Sequence, residues 1–313
     1  LRLVITRQMP DRVAARAARD YHVVQLGFTG AFDRDALIAA ASGAAGIFCT
    51  PAERFDAALI AALPPSVRVI ATFSVGLDHI DIDAAAARGI AVCHTPDVLS
   101  VATAELALTL ILIAARRAGE AERVLRAGLW RGLAPTFLLG RGVAGKRLGI
   151  LGMGRIGREL ATMARGLNMT VIYRNRTRLD PALEQGAIYC DDDAAFLAQC
   201  DVLSINIPGG AATRHWLNAD RIAMLPAGAI VVNTGRGSTV DDAALIAALR
   251  TGHVAAAGLD VFDGEPAVNP GYLALENVVL LPHIGSATVE AREAMGFLAL
   301  DGIDAVLAPG RGP

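Results

Sequence analysis

An arginine, a glutamate and a histidine each lie just beyond a predicted strand in the second half of the 313-residue chain, and together these residue types can grip an anion, polarise a carbonyl and move a proton. Arg236 sits in Asn233-Thr234-Gly235-Arg236-Gly237, after the apolar run Ile230-Val231-Val232. Glu265 closes Asp260-Val261-Phe262-Asp263-Gly264-Glu265-Pro266, and His283 lies in Pro282-His283-Ile284-Gly285-Ser286-Ala287-Thr288. Hydride addition to a carbonyl leaves an alkoxide that needs a proton, and histidine titrates nearest neutrality; such a positioned acid typically contributes about 10²–10⁴-fold. A neighbouring carboxylate stabilises the imidazolium. An arginine can grip a carboxylate with two parallel hydrogen bonds and polarise the carbonyl. Singly, each is an ordinary loop residue. Their combination with a nucleotide-binding turn gives them a chemical reading.

That turn is Gly152-Met153-Gly154-Arg155-Ile156-Gly157, which follows the apolar Leu148-Gly149-Ile150-Leu151 and opens a helical stretch over 158–168. The first glycine allows a tight turn, the second lets a pyrophosphate approach the backbone, and the third brings helix and strand together. An NAD site expects an acid at the end of the next strand to bind the ribose hydroxyls. Here the strand end reads Tyr173-Arg174-Asn175-Arg176-Thr177-Arg178, with no carboxylate before Asp180. Without the acid, repulsion toward a 2′-phosphate is gone, and guanidinium groups offer charge-assisted hydrogen bonds. The segment favours NADP(H), with NAD(H) as the weaker alternative; a plain solvated loop is the other reading of three arginines in a row.

The elements that must position these residues are legible as short β-branched runs alternating with Ala/Leu-rich stretches, the pattern of parallel α/β sheets. One series of strands is predicted at 1–6, 22–26, 45–49, 68–73 and 91–94, with helices at 34–41 and 52–63. A second is predicted at 147–151, 170–173, 187–190, 202–206, 229–233, 256–261 and 278–281. An Ala/Leu segment over 100–129, too long for an average helix and without a Pro or Gly until Gly119, separates them and reads as a bridge. A last helix over 288–307 has no following strand and reads as returning to the first series. In an open α/β sheet the carboxyl ends of the strands border the ligand crevice, so Arg236, Glu265 and His283 can converge there.

Composition sets the outer limits. With 53% hydrophobic residues, 19% charged and a net charge of −2, the chain is neither disordered nor collagen-like, and it has no basic face to imply a nucleic-acid partner. No apolar run approaches the roughly 18 residues of a membrane span. The stretch 1–6 reads as a first strand rather than a secretory leader. Cys49, Cys93, Cys190 and Cys200 are too widely spaced for a metal site and read as four buried thiols, which argues against structural zinc and for a reducing cytoplasm. His22, His94, His215 and His253 have no motif partner and read as structural, and His79 reads as part of a turn.

The ordered set of motifs resembles the D-isomer-specific 2-hydroxyacid dehydrogenase family, within it the glyoxylate/hydroxypyruvate reductase branch. The resemblance spans essentially the whole chain. It rests on Thr72-Phe73-Ser74-Val75-Gly76-Leu77-Asp78-His79, Thr95-Pro96-Asp97-Val98-Leu99, Thr103-Ala104-Glu105, the glycine turn, and the segments 233–237, 258–266 and 282–288. It implies an α/β fold of two Rossmann/flavodoxin-like domains with parallel sheets and an interdomain cleft: a substrate domain at 1–98 plus 288–313, and a dinucleotide domain at 99–287. It implies that Arg236 binds and polarises substrate, His283 is the acid, Glu265 tunes it, and backbone amides of Val75 and Gly76 hold the substrate carboxylate. Cofactor contacts are implied for Thr103, Gly152, Gly154, Arg155, Ile156, Gly157, Arg174, Asn175, Arg176, Thr177, Pro208, Thr213, Thr234, Gly235, Arg236, Asp260, His283 and Gly285, with Asn175 where an NAD-using relative would carry Asp. It further implies a homodimer embraced through the stretch 121–139. Trp130 and Phe137 in that stretch are candidates for the partner interface or the substrate pocket, with Trp130 read first as a packing anchor. The substrates expected are glyoxylate, hydroxypyruvate and larger sugar-derived acids such as 2-ketogluconate. An NAD-dependent relative acting on another acid and a nucleotide-sensing regulatory protein are the competing readings.

Overall fold

In a computed structural model of the protein, which describes residues 1–307, the alternating runs form two all-parallel sheets in two compact units. One unit comprises Leu1–Leu99 with the C-terminal stretch from Ser286, the other Ser100–Gly285.

The first unit has strands β1 (Arg2–Ile5), β2 (His22–Gln25), β3 (Gly46–Cys49), β4 (Val69–Thr72) and β5 (Ala91–Cys93), in the order β2-β1-β3-β4-β5. β3 and β4 are buried at every position, so Gly46-Ile47-Phe48-Cys49 and Val69-Ile70-Ala71-Thr72 run apolar without alternation, as strands covered on both faces must. Its helices start on aspartate caps: the side chains of Asp33, Asp56 and Asp81 accept from the amides of Ala36, Leu59 and Ala84. The hydrogen bonds from Arg34 and the Leu59 amide hold the Asp56 carboxyl at about 2. The helix Val289–Leu307 belongs to this unit and lies close to Asp11–Asp20. A Cβ on Gly296 would stand 2.4 Å from the Val13 side chain, so only glycine permits the approach. Arg16 then reaches Asp301 at 2.6 Å and Asp304 at 2.7 Å.

The second unit has β6 (Arg147–Leu151), β7 (Thr170–Arg174), β8 (Ile188–Tyr189), β9 (Val202–Ile205), β10 (Ala229–Asn233), β11 (Val254–Leu259) and β12 (Val278–Leu280), in the order β12-β11-β10-β9-β6-β7-β8. The strand order reverses where β6 pairs with β9, and there the loops leaving the two strands open a crevice. The helix Ser100–Ala115 lies on the sheet: a Cβ on Gly258 of β11 would come 2.9 Å from Cβ of Leu110.

The segment 100–129, too long for an average helix, is two helices, Ser100–Ala115 and Ala118–Arg126: the chain turns at Arg117 in a left-handed conformation and the returning Arg141 amide takes the Ala115 carbonyl. One expectation is corrected. Of the four thiols only Cys49 and Cys200 are buried; Cys93 lies in β5 and Cys190 follows β8, both edge strands, which leaves each partly exposed. Among the described residues no helix is long and apolar enough to cross a membrane.

Candidate active site

The glycine turn follows β6 as its spacing requires. Gly152 has φ +92°, and a Cβ there would press on the Asn206–Ile207 backbone at 3.0 Å. Gly154 caps the helix Arg155–Arg165 without a side chain, and nothing lies within 4 Å of where its Cβ would be, which leaves open space over the helix start. A Cβ on Gly157 would stand 2.5 Å from the Gly152 carbonyl oxygen, so the third glycine closes the turn. Arg155 and Ile156 form the first turn of that helix, whose amides favour an anion. Across the crevice, the loop after β9 is tied at its base: Thr213 Oγ1 donates to the Pro208 carbonyl at 2.8 Å.

At the end of β7 the arginines are not equivalent. Arg174 donates Nε to Asp193 at 2.8 Å and bonds the Asn175 carbonyl. Arg178 pairs with Glu184 at 2.7 Å and lies over the Tyr189 ring. Arg176 is exposed and, alone of the three, has no hydrogen bond or ion pair among the described residues. Asn175 turns inward, its Oδ1 accepting from the Met153 amide at 2.7 Å, so the strand end is fastened to the glycine turn by a neutral side chain. Thr177 is exposed beside them. The open glycine cradle, the absence of an acid at 175–177 and the uncommitted guanidinium of Arg176 fit a dinucleotide carrying a 2′-phosphate.

On the other side of the switch point three loops meet. Asn233 shapes the one after β10, Nδ2 donating to the Arg236 carbonyl at 3.0 Å and Oδ1 accepting from the Gly235 amide at 3.0 Å. Thr234 Oγ1 donates to Asn206 Oδ1 at 3.2 Å. A Cβ on Gly237 would fall 1.9 Å from the Phe262 carbonyl carbon, so this loop lies flush against the backbone leading to Glu265. Glu265 Oε1 accepts from the Phe262 amide at 2.8 Å, and Oε2 meets His283 Nδ1 at 2.6 Å. A carboxylate accepts, so Nδ1 donates and Nε2 is left for a reactant. Burial raises the Glu265 pKa, but the hydrogen bond and charge of His283, with a smaller contribution from Arg236, bring it below the usual value. Glu265 is therefore ionised at neutrality. His283 holds φ +53°, an unusual conformation for a residue with a Cβ, fixed by its amide donating to the Asp260 carbonyl at 2.8 Å. The buried Asp260 carboxylate takes the amides of Ile284 and Gly285, each at 2.8 Å; burial pushes its pKa up despite them. Thr103 borders Gly285, its Oγ1 standing 3.5 Å from where a Cβ would be.

Thus the second unit brings together Arg236, Glu265, His283, Asp260, Thr103, Thr234 and Gly285. Asn206 and Asp193, which brace the site, carry only the weak sequence signal of a polar residue just past a strand or opening a short helix. Val75 and Gly76 belong to the first unit, in the loop after β4, where Val75 is 38% exposed. His94 and His79, read as structural and as part of a turn, both bond within that loop region: His94 Nδ1 lies 2.9 Å from the Val75 carbonyl and His79 Nε2 2.8 Å from Thr72 Oγ1. His253 bonds the Ile222 carbonyl. Trp130 is 50% exposed and, among the described residues, bonds only the Gly132 carbonyl; it is not a packing anchor among them, because 127–137 crosses the surface without a described sheet or helix over it.

The chain is similar to known proteins along nearly its whole length. Residues 108–285 match the family described as D-isomer specific 2-hydroxyacid dehydrogenase, NAD binding domain. A glycerate dehydrogenase of Hyphomicrobium methylovorum is 41% identical over 97% of this chain and 95% of its own. The crystal structure of a D-isomer specific 2-hydroxyacid dehydrogenase from Polaromonas sp. JS6 66, itself described only as putative, superposes with a TM-score of 0.93 at 47% identity, over 97% of this chain and 95% of that one. An NADPH-dependent glyoxylate/hydroxypyruvate reductase from Sinorhizobium meliloti, crystallised with NADP and malonate, gives 0.87 at 35% identity, over 99% and 94%.

Proposed function

Since the chain belongs to the D-isomer-specific 2-hydroxyacid dehydrogenase family, we propose that it reduces small 2-oxo acids, glyoxylate and hydroxypyruvate first and 2-ketogluconate among larger ones, with NADPH as the preferred reductant. The observation that carries the reading is the Glu265–His283 pair at 2.6 Å, with the loop of Arg236 lying flush against the backbone that leads to Glu265. Bound NADPH would supply the hydride. Arg236 grips the substrate carboxylate and draws electron density from the carbonyl oxygen. Glu265, ionised, holds His283 by Nδ1 and stabilises its protonated form, so that Nε2 gives its proton to the oxygen as the carbonyl carbon is reduced. Backbone amides of Val75 and Gly76 bind the carboxylate. Thr103, Thr234, Gly235, Asp260 and Gly285 meet the nicotinamide end; Gly152, Gly154, Arg155, Ile156, Gly157, Pro208 and Thr213 meet the pyrophosphate. The 2′-phosphate falls to Asn175, Arg176 and Thr177, with Arg174 acting mainly as a brace through Asp193.

The exposed apolar side chains of Leu125, Leu129, Leu133 and Leu139 support cover by a second copy of the chain, a homodimer. The cytoplasm is the compartment proposed, on the strength of four free cysteines.

Initial rates of glyoxylate and hydroxypyruvate reduction with NADPH and with NADH, for the natural chain and Arg176→Ala, test the reading. The expected result is a preference for NADPH that falls by about 10–100-fold in the variant, the worth of a charge-assisted hydrogen bond, with NADH rates unchanged. Equal use of NADH would overturn the cofactor assignment, and no turnover with either acid would overturn the substrate assignment.

A further inference from the structure

Three successive carbonyls in the loop after β4 are each held by a different donor. The Ser74 carbonyl accepts the Thr95 amide at 2.8 Å, the Val75 carbonyl faces His94 Nδ1 at 2.9 Å, and the Gly76 carbonyl accepts Ser74 Oγ at 2.7 Å. A carbonyl can only accept, so His94 carries its proton on Nδ1. The third anchor is wired further back. Ser74 spends its single proton on Gly76, so in its 3.0 Å contact with Thr72 Oγ1 the threonine donates. Thr72, having given its proton, accepts at 2.8 Å from His79, which fixes that ring as Nε2–H. The protons run in one direction: His79 to Thr72, Thr72 to Ser74, Ser74 to the Gly76 carbonyl.

The peptides here are trans, so each carbonyl lies antiparallel to the amide N–H that shares its plane. Fastening the carbonyls of Ser74, Val75 and Gly76 therefore aims the amides of Val75, Gly76 and Leu77 away from the anchors. Among the described residues none of these three amides has a hydrogen-bond partner. A loop whose amides only meet water has no need of anchors on three consecutive carbonyls. Unpaired amides with fixed directions are what an oxyanion of a substrate requires.

We propose that His94 is a positioning residue: by holding the Val75 carbonyl it sets the direction of the Gly76 amide toward the substrate carboxylate, and the His79–Thr72–Ser74 chain does the same for the following peptide. This rests on the reading of Val75 and Gly76 as carboxylate-binding residues. On this reading His94 acts through the Val75 carbonyl, not on the substrate or the cofactor itself. Its effect passes through one peptide plane, so it governs acid binding and leaves the hydride and proton steps alone.

The test compares the natural enzyme with His94→Phe, which keeps a ring and loses the donor, His94→Asn, which keeps a short N–H donor, and Ser74→Ala. Steady-state kinetics with glyoxylate and NADPH, NADPH binding by fluorescence, oxalate binding by calorimetry and thermal melting are measured on each. For His94→Phe the expected result is a KM for glyoxylate about tenfold higher, the order of one weakened hydrogen bond to a charged group, with kcat and NADPH binding within twofold. His94→Asn should return KM to within about threefold of the natural value, and Ser74→Ala should raise it as His94→Phe does. An unchanged KM in folded His94→Phe, or a fall in kcat alone, would overturn the proposal. If His94→Phe does not fold, His94→Asn and Ser74→Ala decide on the same criteria. If the natural enzyme reduces no 2-oxo acid, the reductase reading fails by itself. Oxalate then decides the anchoring: binding about tenfold weaker in the variant supports it, and equal or absent binding in the natural chain refutes it.

Discussion

On the proposed function two places in the molecule receive an anion, and they are built differently. At the end of β7 the preparation is made with side chains: a neutral Asn175 fastened to the Met153 amide, Arg174 and Arg178 spent on Asp193 and Glu184, and Arg176 left exposed. In the loop after β4 it is made with backbone, and the side chains of His94 and Ser74 serve only to hold carbonyls. A side-chain site announces its charge in the sequence and can be retuned by one substitution. A backbone site carries no charge of its own and depends on residues that never touch the ligand.

The largest expected effect leaves both places intact and removes only the residue proposed as proton donor. His283→Ala should lower kcat for glyoxylate reduction by about 10²–10⁴-fold while NADPH and oxalate still bind, measured by steady-state rates beside equilibrium titrations. Retained rates would remove His283 from the chemistry and leave the comparison to stand on binding alone.

Next in size, Asn175→Asp tests whether the side-chain site works by charge. Asp can still accept from the Met153 amide, so the turn is kept and a negative charge is placed where the 2′-phosphate is proposed to bind. The ratio of kcat/KM for NADPH over NADH should drop by about 10–100-fold with the KM for glyoxylate unmoved. A simultaneous change in both would mean that the two anion sites are not separable.

The smallest effect concerns the brace under the arginines. The Glu184 carboxyl is held at about 2, first by the Arg178 hydrogen bonds and then by Tyr173. Its folded value lies below the ordinary glutamate value of about 4.3, so its stabilisation is complete above that pH and is lost as pH falls toward about 2. Glu184→Gln should lower the melting temperature by a few degrees at pH 7, and the difference from the natural chain should close on acidification, followed by circular dichroism. A difference independent of pH would assign the loss to packing instead.

The contrast also accounts for what could be read from the residues alone. The strands, the glycine turn and the loops of Arg236, Glu265 and His283 follow from local patterns: β-branched runs, fixed glycine offsets, a polar motif just past each strand. The inequality of the three arginines does not, because the partner of Arg174 is Asp193, 19 residues away and across β8. The role of His94 depends on β4 and β5 being neighbours, since only that pairing carries its ring to a carbonyl 19 residues earlier. The break at Arg117 depends on a returning chain at 140–141 that no helical periodicity records.

The contact of Gly237 with the Phe262 backbone bears on how the acid pocket can be altered by selection or by design. A library that randomises 234–238 alone will return glycine at 237 whatever acid is offered, because every other residue drives its Cβ into the Phe262–Asp263 peptide. Variants with a reshaped mouth will emerge only from libraries in which 234–238 and 261–265 are diversified together, so the two loops form one heritable cassette.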